Sequence, residues 1–476
     1  MKGVSRIMTT RNKLHYIEEV DGKTNIVYYF AHDKIVKNKK GKRVPERNLM
    51  DPFFHGRYVL CNHFLKDHCR SLGEVREITV KDAKKMRYIY EIGTSGPPAN
   101  WLGGYDSSRR NLFDLLALHR PIVIRSAAKR RCIIHIDQGW EGFPLLETKV
   151  LKSVGVRRDY YDVLYTSLEK HKIPPSQIII TTSNLKEKEV HDKYYGNKKD
   201  KINIVPSISF CGLLTYQNEA DAISFEEQIQ YKQQLEDMKS FSCLNRVTRQ
   251  HRMTLGVMLN YYNLLDPKIC DFSHSKFLGG HPRQSTLPIT HRHAIPGGWE
   301  AHPSFTKENA NDFLSTLPRV LDQEDFNKNH VWTMFKDTYL RTWFSLTSET
   351  AFNEERKTCL FMSEKIFKPM LCHHPFVVVS HPNSLAQLKQ LGFKTFDKWW
   401  DESYDDETDF EKRIELIKDT IRYISSWSIP KCESIYSEMY DILIHNQNLC
   451  GEYFKNGHGR NNSVNDEENI LKKPIF

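Results

Sequence analysis

The sequence predicts an α/β protein with two Rossmann-like domains and a cleft between them. Short apolar runs that suit buried strands alternate with segments that suit helices, and this alternation occurs twice along the chain. A polar, charged stretch at 216–239 separates the two series. With 476 residues, the chain is also too long for one ordinary core, so two domains of roughly 200 residues each are expected.

The first series predicts an α/β domain at 55–215, preceded by an N-terminal accessory segment at 1–54. Its strand candidates are short and suit the buried strands of a mostly parallel sheet. These candidates are Tyr88–Ile92, Ile122–Ile124, Cys132–Asp137, Ile178–Thr181 and Ile202–Val205. Helices are expected at Leu146–Leu168 and Leu185–Tyr195.

The second series predicts an α/β domain at 240–454, which begins with a strand at Phe241–Leu244. A linker helix is expected at 216–239, because Ser224 and Glu227 have the spacing of a capping box. The isoleucines from Ile414 to Ile424 recur at helical spacing and predict an amphipathic helix. Residues 455–476 are polar and are predicted to be a tail.

Composition favours a globular protein with anionic partners. Apolar residues make up 39% of the chain and charged residues 27%, and no run approaches the ~20 apolar residues that span a bilayer. The N-terminus lacks the apolar core of a signal peptide, so we expect a cytoplasmic protein without a membrane span, in the host cytoplasm if it is viral. The net charge of +10 favours nucleotides, nucleic acid or acidic glycans.

The stretch at 343–385 predicts a strand, a polar loop, a helix and a second buried strand at Phe376–Val379. The helix is expected to begin near Ser363, followed by Glu364 and Lys365. A helix N-terminus offers free N–H groups and partial positive charge, so this segment suits an anion. The alternative interpretation is an ordinary helix cap at Ser363 with charged neighbours.

This stretch resembles the donor-binding signature of the α1,3-fucosyltransferases. The resemblance consists of Phe-Ser-Leu at 344–346, Glu349, Ser-Glu-Lys at 363–365 and Pro-Phe-Val-Val at 375–378. The family usually has Thr where Ser363 stands, and Glu-Asn-Ser where this chain has Ser-Glu-Thr at 348–350. The remainder of the chain resembles the glycosyltransferases of large DNA viruses and phages.

The resemblance implies an inverting glycosyltransferase of the GT-B architecture, whose donor substrate is a nucleoside-diphosphate sugar of the GDP-fucose kind. It implies no further cofactor. Lys365 would lie against the leaving diphosphate, where negative charge develops. Glu364 would accept hydrogen bonds from ribose or sugar hydroxyls. Glu349 and Ser363 belong to the same donor-binding motif.

The resemblance also implies an arginine that pairs with the diphosphate at the head of the nucleotide-binding domain. Three arginines follow the strand Phe241–Leu244, and a guanidinium offers the planar, bidentate fork that phosphate accepts. Arg246 is the preferred candidate, then Arg249, with Arg252 left open. The alternative interpretation is a solvated basic face.

An inverting transfer needs a general base for the acceptor hydroxyl. In the resembling family this base is a glutamate of the N-terminal domain. Here Asp137 and Glu141 follow the strand that starts at Cys132, with Trp140 available to stack on a sugar. Glu141 is preferred by residue type, and a turn stabilised by Asp137 is the alternative.

The sequence leaves the acceptor and the oligomeric state open. A glycan or glycoprotein is one class of acceptor, and DNA with hydroxylated bases is the other, which the basic charge would suit. A non-catalytic nucleic-acid-binding or carbohydrate-binding protein of the same fold is the rival hypothesis. No metal site is predicted, because the chain lacks an Asp-x-Asp motif in an apolar context and His373–His374 lack the i, i+4 spacing of a helical zinc pair.

Overall fold

The computed structural model describes most of the chain from residue 88 onward and the backbone of several strands before it. The described ranges are 14–15, 17–20, 24–30, 35–37, 43–45, 73–78, 88–93, 98–102, 111–139, 142–150, 157–208, 211, 224–245, 247–277, 287–295, 297, 302–321, 333–350, 352 and 359–455.

The chain divides into two compact units. The first unit comprises Met1–Ser209, Glu355–Phe361 and Asn456–Phe476, and the second comprises Phe210–Glu354 and Met362–Lys455. The chain therefore passes from the second unit into the first for seven residues and then returns. No local sequence pattern predicts this crossing.

The strands of both units are mostly short. In chain order they are β1 (Leu14–His15), β2 (Ile17–Val20), β3 (Thr24–Phe30), β4 (Ile35–Lys37), β5 (Arg43–Pro45), β6 (Gly73–Ile78), β7 (Tyr88–Gly93), β8 (Cys132–Gln138), β9 (Leu146–Val150), β10 (Arg157–Asp159), β11 (Ile178–Thr182), β12 (Asn203–Pro206), β13 (Lys239–Asn245), β14 (Cys270–His274), β15 (Thr342–Ser348) and β16 (Phe376–Val379).

Helices connect these strands. They are α1 (Ala99–Leu102), α2 (Leu112–His119), α3 (Pro121–Ala128), α4 (Tyr160–Lys170), α5 (Glu187–Tyr195), α6 (Phe225–Gln234), α7 (Gln250–Tyr261), α8 (His291–Ala294), α9 (Lys307–Ser315), α10 (Lys336–Leu340), α11 (Glu364–Leu371), α12 (Ser384–Gln390), α13 (Phe410–Ser425), α14 (Ile429–Glu438) and α15 (Tyr440–Lys455). Among the described residues, no helix is long and apolar enough to cross a membrane.

The main sheet of the first unit has the order β1-β7-β8-β11-β12. The strands β7, β8, β11 and β12 are parallel to their neighbours, and only β1 pairs antiparallel at the edge. Every residue of β8 and of β11 is buried, because helices cover both faces of a parallel sheet. This burial explains why both strands begin with apolar runs, at 132–134 and 178–180.

The sheet of the second unit has the order β14-β13-β15-β16, with all neighbours parallel. Its first strand in the chain, β13, therefore lies between the second strand and the third. Such an order is that of a doubly wound sheet, in which crossovers run first to one side and then to the other. Together the two parallel sheets confirm the predicted α/β class with two Rossmann-like domains.

Two predictions of secondary structure are wrong. Ile122–Ile124 lies in α3, where Pro121 occupies the first turn and Val123, Ile124 and Ala127 form the buried face at helical spacing. The predicted helix Leu146–Leu168 is also wrong in its first part, because β9 and β10 pair antiparallel before α4 begins, whereas 160–168 is helical as predicted. Asp159 caps α4 by accepting hydrogen bonds from Tyr161 N and Asp162 N, which sets its start.

The predicted capping box is confirmed. Ser224 Oγ accepts from Glu227 N at 3.1 Å, and Glu227 Oε2 accepts from Ser224 N at 2.9 Å, so both orphan donors at the start of α6 are satisfied. The helix is tied to the sheet by Lys232, whose ammonium donates to three backbone carbonyls at 2.5–3.3 Å around the start of β15. The helix lies within the second unit.

Candidate functional site

The carboxyl edge of the second unit's sheet is where its topology places a ligand. In a doubly wound sheet, ligands bind outside the carboxyl ends of the strands, at the point where the strand order reverses. Here that point lies between β13, which ends at Asn245, and β15, which ends at Ser348. The residues that follow these two strands include most of the predicted donor-binding residues.

Glu349 follows β15 directly and is only 1% exposed. Its carboxylate accepts a hydrogen bond from Ser363 Oγ at 2.6 Å and from Ser363 N at 3.2 Å, and it also accepts from Thr350 N at 3.3 Å. Burial raises the pKa of Glu349, while the charge of Lys365 and the bonds from Ser363 oppose that rise. The carboxylate thus contacts the loop and holds Ser363 in place at the start of α11.

Ser363 is the N-cap of α11, as predicted. Its Oγ lies 3.4 Å from Lys365 N and 3.0 Å from Lys365 Nζ, and accepts from both donors. The same hydroxyl donates to Glu349, so it joins the buried acid to the lysine. A single hydroxyl therefore sets both the direction of the helix start and the position of the ammonium.

Glu364 and Lys365 form an ion pair at 2.6 Å at the first turn of α11. A quarter of the Lys365 side chain is exposed, against 11% for Glu364, and Lys365 Nζ also lies 3.4 Å from Thr350 Oγ1. Burial by itself raises the pKa of Glu364, but Lys365 and Lys368 outweigh it and the net shift is downward. At neutral pH this site therefore combines an ionised carboxylate with a partly exposed ammonium.

The three arginines after β13 have different environments. Arg246 lies outside the described residues. Arg249 is exposed and occupies the N-cap position of α7, without a side-chain cap. Arg252, left open by the sequence, is 2% exposed and donates to the carbonyls of Ser348 at 2.9 Å and Glu349 at 3.0 Å. These hydrogen bonds from Arg252 therefore stabilise the backbone of the loop after β15.

His251 supports the same loop and was not singled out from the sequence. Its Nε2 donates to the Glu349 carbonyl at 3.0 Å, and its ring stacks on Phe352 with centroids 5.4 Å apart. Burial and the neighbouring Arg252 hold the pKa of His251 well below its usual value. A neutral imidazole beside the buried Arg252 avoids adding a second buried positive charge.

The predicted general bases belong to the first unit. Glu141 and its neighbour Trp140 lie outside the described residues. Asp137 lies in β8, is 2% exposed, and its Oδ1 accepts a hydrogen bond from Gly139 N at 2.8 Å. This bond stabilises the turn after the strand, which is the alternative role that the sequence leaves open for Asp137.

The crossing segment Cys359–Phe361 is a further feature that the sequence did not single out. Within the first unit, Cys359 Sγ donates to the Gly142 carbonyl at 3.0 Å and Leu360 N donates to Asn184 Oδ1 at 2.9 Å. Leu185 N donates in turn to the Leu360 carbonyl at 2.8 Å. The loop that leads to Ser363 is thus anchored only two residues before that cap.

No model of a known protein family matches the chain, and no curated protein does. Three similar solved structures have titles that describe them as a GtfA/B complex and as two α,α-trehalose-phosphate synthases (UDP-forming) from Burkholderia. The first is 11% identical with a TM-score of 0.32, covering 71% of this chain and 55% of that chain. The match therefore spans about half the length of that chain.

The two synthases are similar to a comparable extent. The protein from Burkholderia xenovorans, in complex with glucose-6-phosphate, is 8% identical with a TM-score of 0.32, over 72% of this chain and 79% of that one. The protein from Burkholderia vietnamiensis is 10% identical with a TM-score of 0.33, over 71% and 77%. The fold class of this chain rests on its own two parallel sheets.

Proposed function

We propose that this protein is a glycosyltransferase that moves a sugar from a nucleoside-diphosphate sugar to an acceptor hydroxyl, with inversion at the anomeric carbon. The observation that carries the proposal is the start of α11. There a buried acid, Glu349, holds the capping Ser363, and the capping hydroxyl in turn positions the partly exposed Lys365. A helix start of this kind at the switch point of a doubly wound sheet supports the binding of an anion.

In this proposal Lys365 and the first-turn N–H groups of α11 bind the donor diphosphate. Charge builds on the diphosphate as the bond to the anomeric carbon breaks, so a fixed cation there is worth most in the transition state. The electron pair of the broken bond leaves with the diphosphate, while the acceptor oxygen forms the new bond from the opposite face. Glu364, ionised and adjacent, accepts hydrogen bonds from donor hydroxyls.

Arg246 or Arg249 pairs with the donor diphosphate in this proposal, because the guanidinium of Arg252 already donates to backbone carbonyls. Exposed at the head of α7, Arg249 is free to extend a bidentate fork toward a phosphate. The proton of the acceptor hydroxyl goes to Glu141, with Asp137 as the second candidate. Two Rossmann-like domains are the components of the GT-B architecture.

The proposal is tested with a panel of GDP-, UDP- and CMP-sugars, following both binding and release of the nucleoside diphosphate. We expect one donor to bind and turn over, and Lys365→Ala to lower kcat about 10²–10³-fold, as removal of a single charge-stabilising group does. Lys394→Ala is the matched control, because Lys394 is an exposed lysine of the same unit that lies outside the donor-binding motif. The proposal would be refuted if no nucleotide sugar of the panel were bound or hydrolysed.

A second pair of variants tests the role of the cap. Ser363→Thr keeps the hydroxyl that joins Glu349 to Lys365, whereas Ser363→Ala removes it. We expect the threonine variant to retain turnover and the alanine variant to lose most of it, at a temperature where both variants stay folded. Equal activities of the two variants would show that the hydroxyl has no part in donor binding.

A further inference from the structure

Three loops meet at the amino edge of the first unit's sheet, opposite the edge that carries Asp137. They precede β8, β11 and β12 and comprise 129–131, 171–177 and 196–202; we call them the amino-edge loops. Because the three strands are neighbours, about 4.8 Å apart, the loops lie within roughly 10 Å of one another. Only the sheet brings these distant segments together.

Side-chain contacts join the loops directly. Arg130 Nη1 donates to Ser176 Oγ at 3.2 Å, and Arg130 Nη2 forms an ion pair with Asp200 Oδ2 at 3.3 Å. Asp200 Oδ1 also accepts from Ser176 N at 2.8 Å. Asp200 is therefore used to hold the loops together, and Arg130 balances its charge.

Four lysines of the amino-edge loops are exposed: Lys129, Lys172, Lys198 and Lys199. None of them has an ion-pair partner among the residues that the structure describes. A separation of roughly 10 Å equals the Debye length at 0.1 M salt, so their charges reinforce one another at the surface. By contrast, the nearby Lys201 is paired with Asp192 at 3.2 Å.

The backbone gives a second, independent observation. Arg130 and Lys172 have φ values of 55° and 56°, in the left-handed region, and each stands just after the C-cap of a helix. Glycine is the usual residue there, because a side chain in this conformation costs roughly 1–2 kcal/mol. Helix termination therefore does not explain a basic side chain at either position. Arg130 is used to join the loops, whereas the exposed Lys172 adds positive charge to this edge.

Aromatic rings lie among these charges. Lys198 Nζ sits over the ring of Tyr165 at 4.6 Å and over that of Tyr195 at 5.7 Å, and the two rings stack 5.3 Å apart. Tyr194, beside them at the end of α5, is 49% exposed. Positive charge combined with aromatic rings is the pattern of surfaces that bind the backbone of a nucleic acid while bases stack on side chains.

We propose that the amino-edge loops form a docking surface for the phosphate backbone of a nucleic acid. Seven-residue β8 separates this edge from the opposite one by about 23 Å at 3.3 Å per residue, so a bound strand does not occupy the edge of Asp137. The surface thus anchors the protein and does not take part in bond transfer. The inference is independent of sugar transfer and holds for a binding protein as well as for an enzyme.

The experiment measures binding of a 20-nucleotide duplex DNA, single-stranded DNA and single-stranded RNA by fluorescence anisotropy at 50 and 200 mM salt. The test variant carries Lys→Ala at 129, 172, 198 and 199. Each phosphate contact contributes about 0.9 to the salt slope on a duplex and about 0.7 on a single strand. Between the two salt concentrations, the affinity of the unmodified protein should therefore fall about 150-fold more than that of the variant on duplex, or about 50-fold more on a single strand.

The matched control removes four exposed lysines of the second unit, Lys268, Lys307, Lys394 and Lys412, and so changes the net charge by the same amount. We expect the control to keep the salt slope of the unmodified protein. Equal loss in both variants would overturn the proposal, since it would trace binding to net charge. Binding only to heparin or to phosphatidylserine vesicles, or no nucleic-acid binding at 50 mM salt, would overturn it as well.

Discussion

Glu187, the first residue of α5, makes the stability of the first unit dependent on pH. It is 1% exposed. Its Oε1 accepts from Tyr161 OH at 2.5 Å and from Leu145 N at 3.1 Å, and its Oε2 accepts from Asn184 Nδ2 at 2.6 Å. Burial raises the pKa of Glu187 to about 7, although these hydrogen bonds act to lower it. Replacing Glu187 by glutamine removes the titration while keeping the size of the side chain.

The expected magnitude follows from the difference between folded and unfolded pKa values. The folded state keeps its proton up to about pH 7, whereas the unfolded chain loses it near 4.5. Between these values the folded state binds more protons, so the free energy of unfolding falls as pH rises. At 1.36 kcal/mol per unit the full loss is about 3 kcal/mol, of which about 2.5 kcal/mol falls between pH 5 and 8.

The assay is urea unfolding of the protein and of Glu187→Gln at pH 5, 6, 7 and 8. Altered hydrogen bonds in the variant shift its stability by an amount that does not depend on pH, so the informative quantity is how the difference changes. We expect the variant to gain about 2.5 kcal/mol relative to the unmodified protein from pH 5 to 8. Buried histidines such as His274, whose pKa burial lowers to about 4, contribute with the opposite sign but equally in both proteins. A difference independent of pH would refute the reasoning.

Three further substitutions test the packing. A Cβ added at Gly142 would lie 2.4 Å from Phe361 Cγ, so Gly142→Ala should lower the free energy of unfolding by about 1–3 kcal/mol. Combined with Phe361→Ala, it should cost less stability than the sum of the two single losses. Strictly additive losses in urea unfolding would contradict this. Lys232→Met leaves three carbonyls without their donor and should lower the free energy of unfolding by at least about 2 kcal/mol, whereas unchanged stability would show that the carbonyls find other donors. Lys172→Gly should raise the thermal midpoint, because the free energy of unfolding rises by up to about 1 kcal/mol, and should weaken nucleic-acid binding. A lower midpoint would show that the left-handed conformation carries no strain.

The α/β class could be predicted because strands that are buried on both faces are rich in apolar residues. The apolar runs at 132–134 in β8 and at 178–180 in β11 reflect that burial. The start of α6 was predictable for a similar reason, since the bonds between Ser224 and Glu227 span only three residues. Local interactions of this kind depend on neighbours in the chain.

The errors arise where the chain's own pattern is ambiguous. Ile122–Ile124 has the composition of a strand, but packing of α3 against the sheet selects the helix, and Pro121 permits it at the first turn. In the same way, β9 depends on its antiparallel partner β10, which a helical pattern cannot reveal. Short apolar runs are compatible with either structure until tertiary contacts decide.

The sequence by itself determined the two parallel sheets and the cap at Ser363, because continuous apolar strands and capping side chains act over a few residues. Only the tertiary structure decided what surrounds that cap. Glu349 reaches Ser363 across fourteen positions, and Arg252 turns inward to carbonyls almost a hundred residues away. The amino-edge loops likewise meet only because their strands are neighbours in the sheet. Contacts between distant segments depend on how the strands pair, and pairing is set by burial of the whole sheet and not by any one stretch of chain.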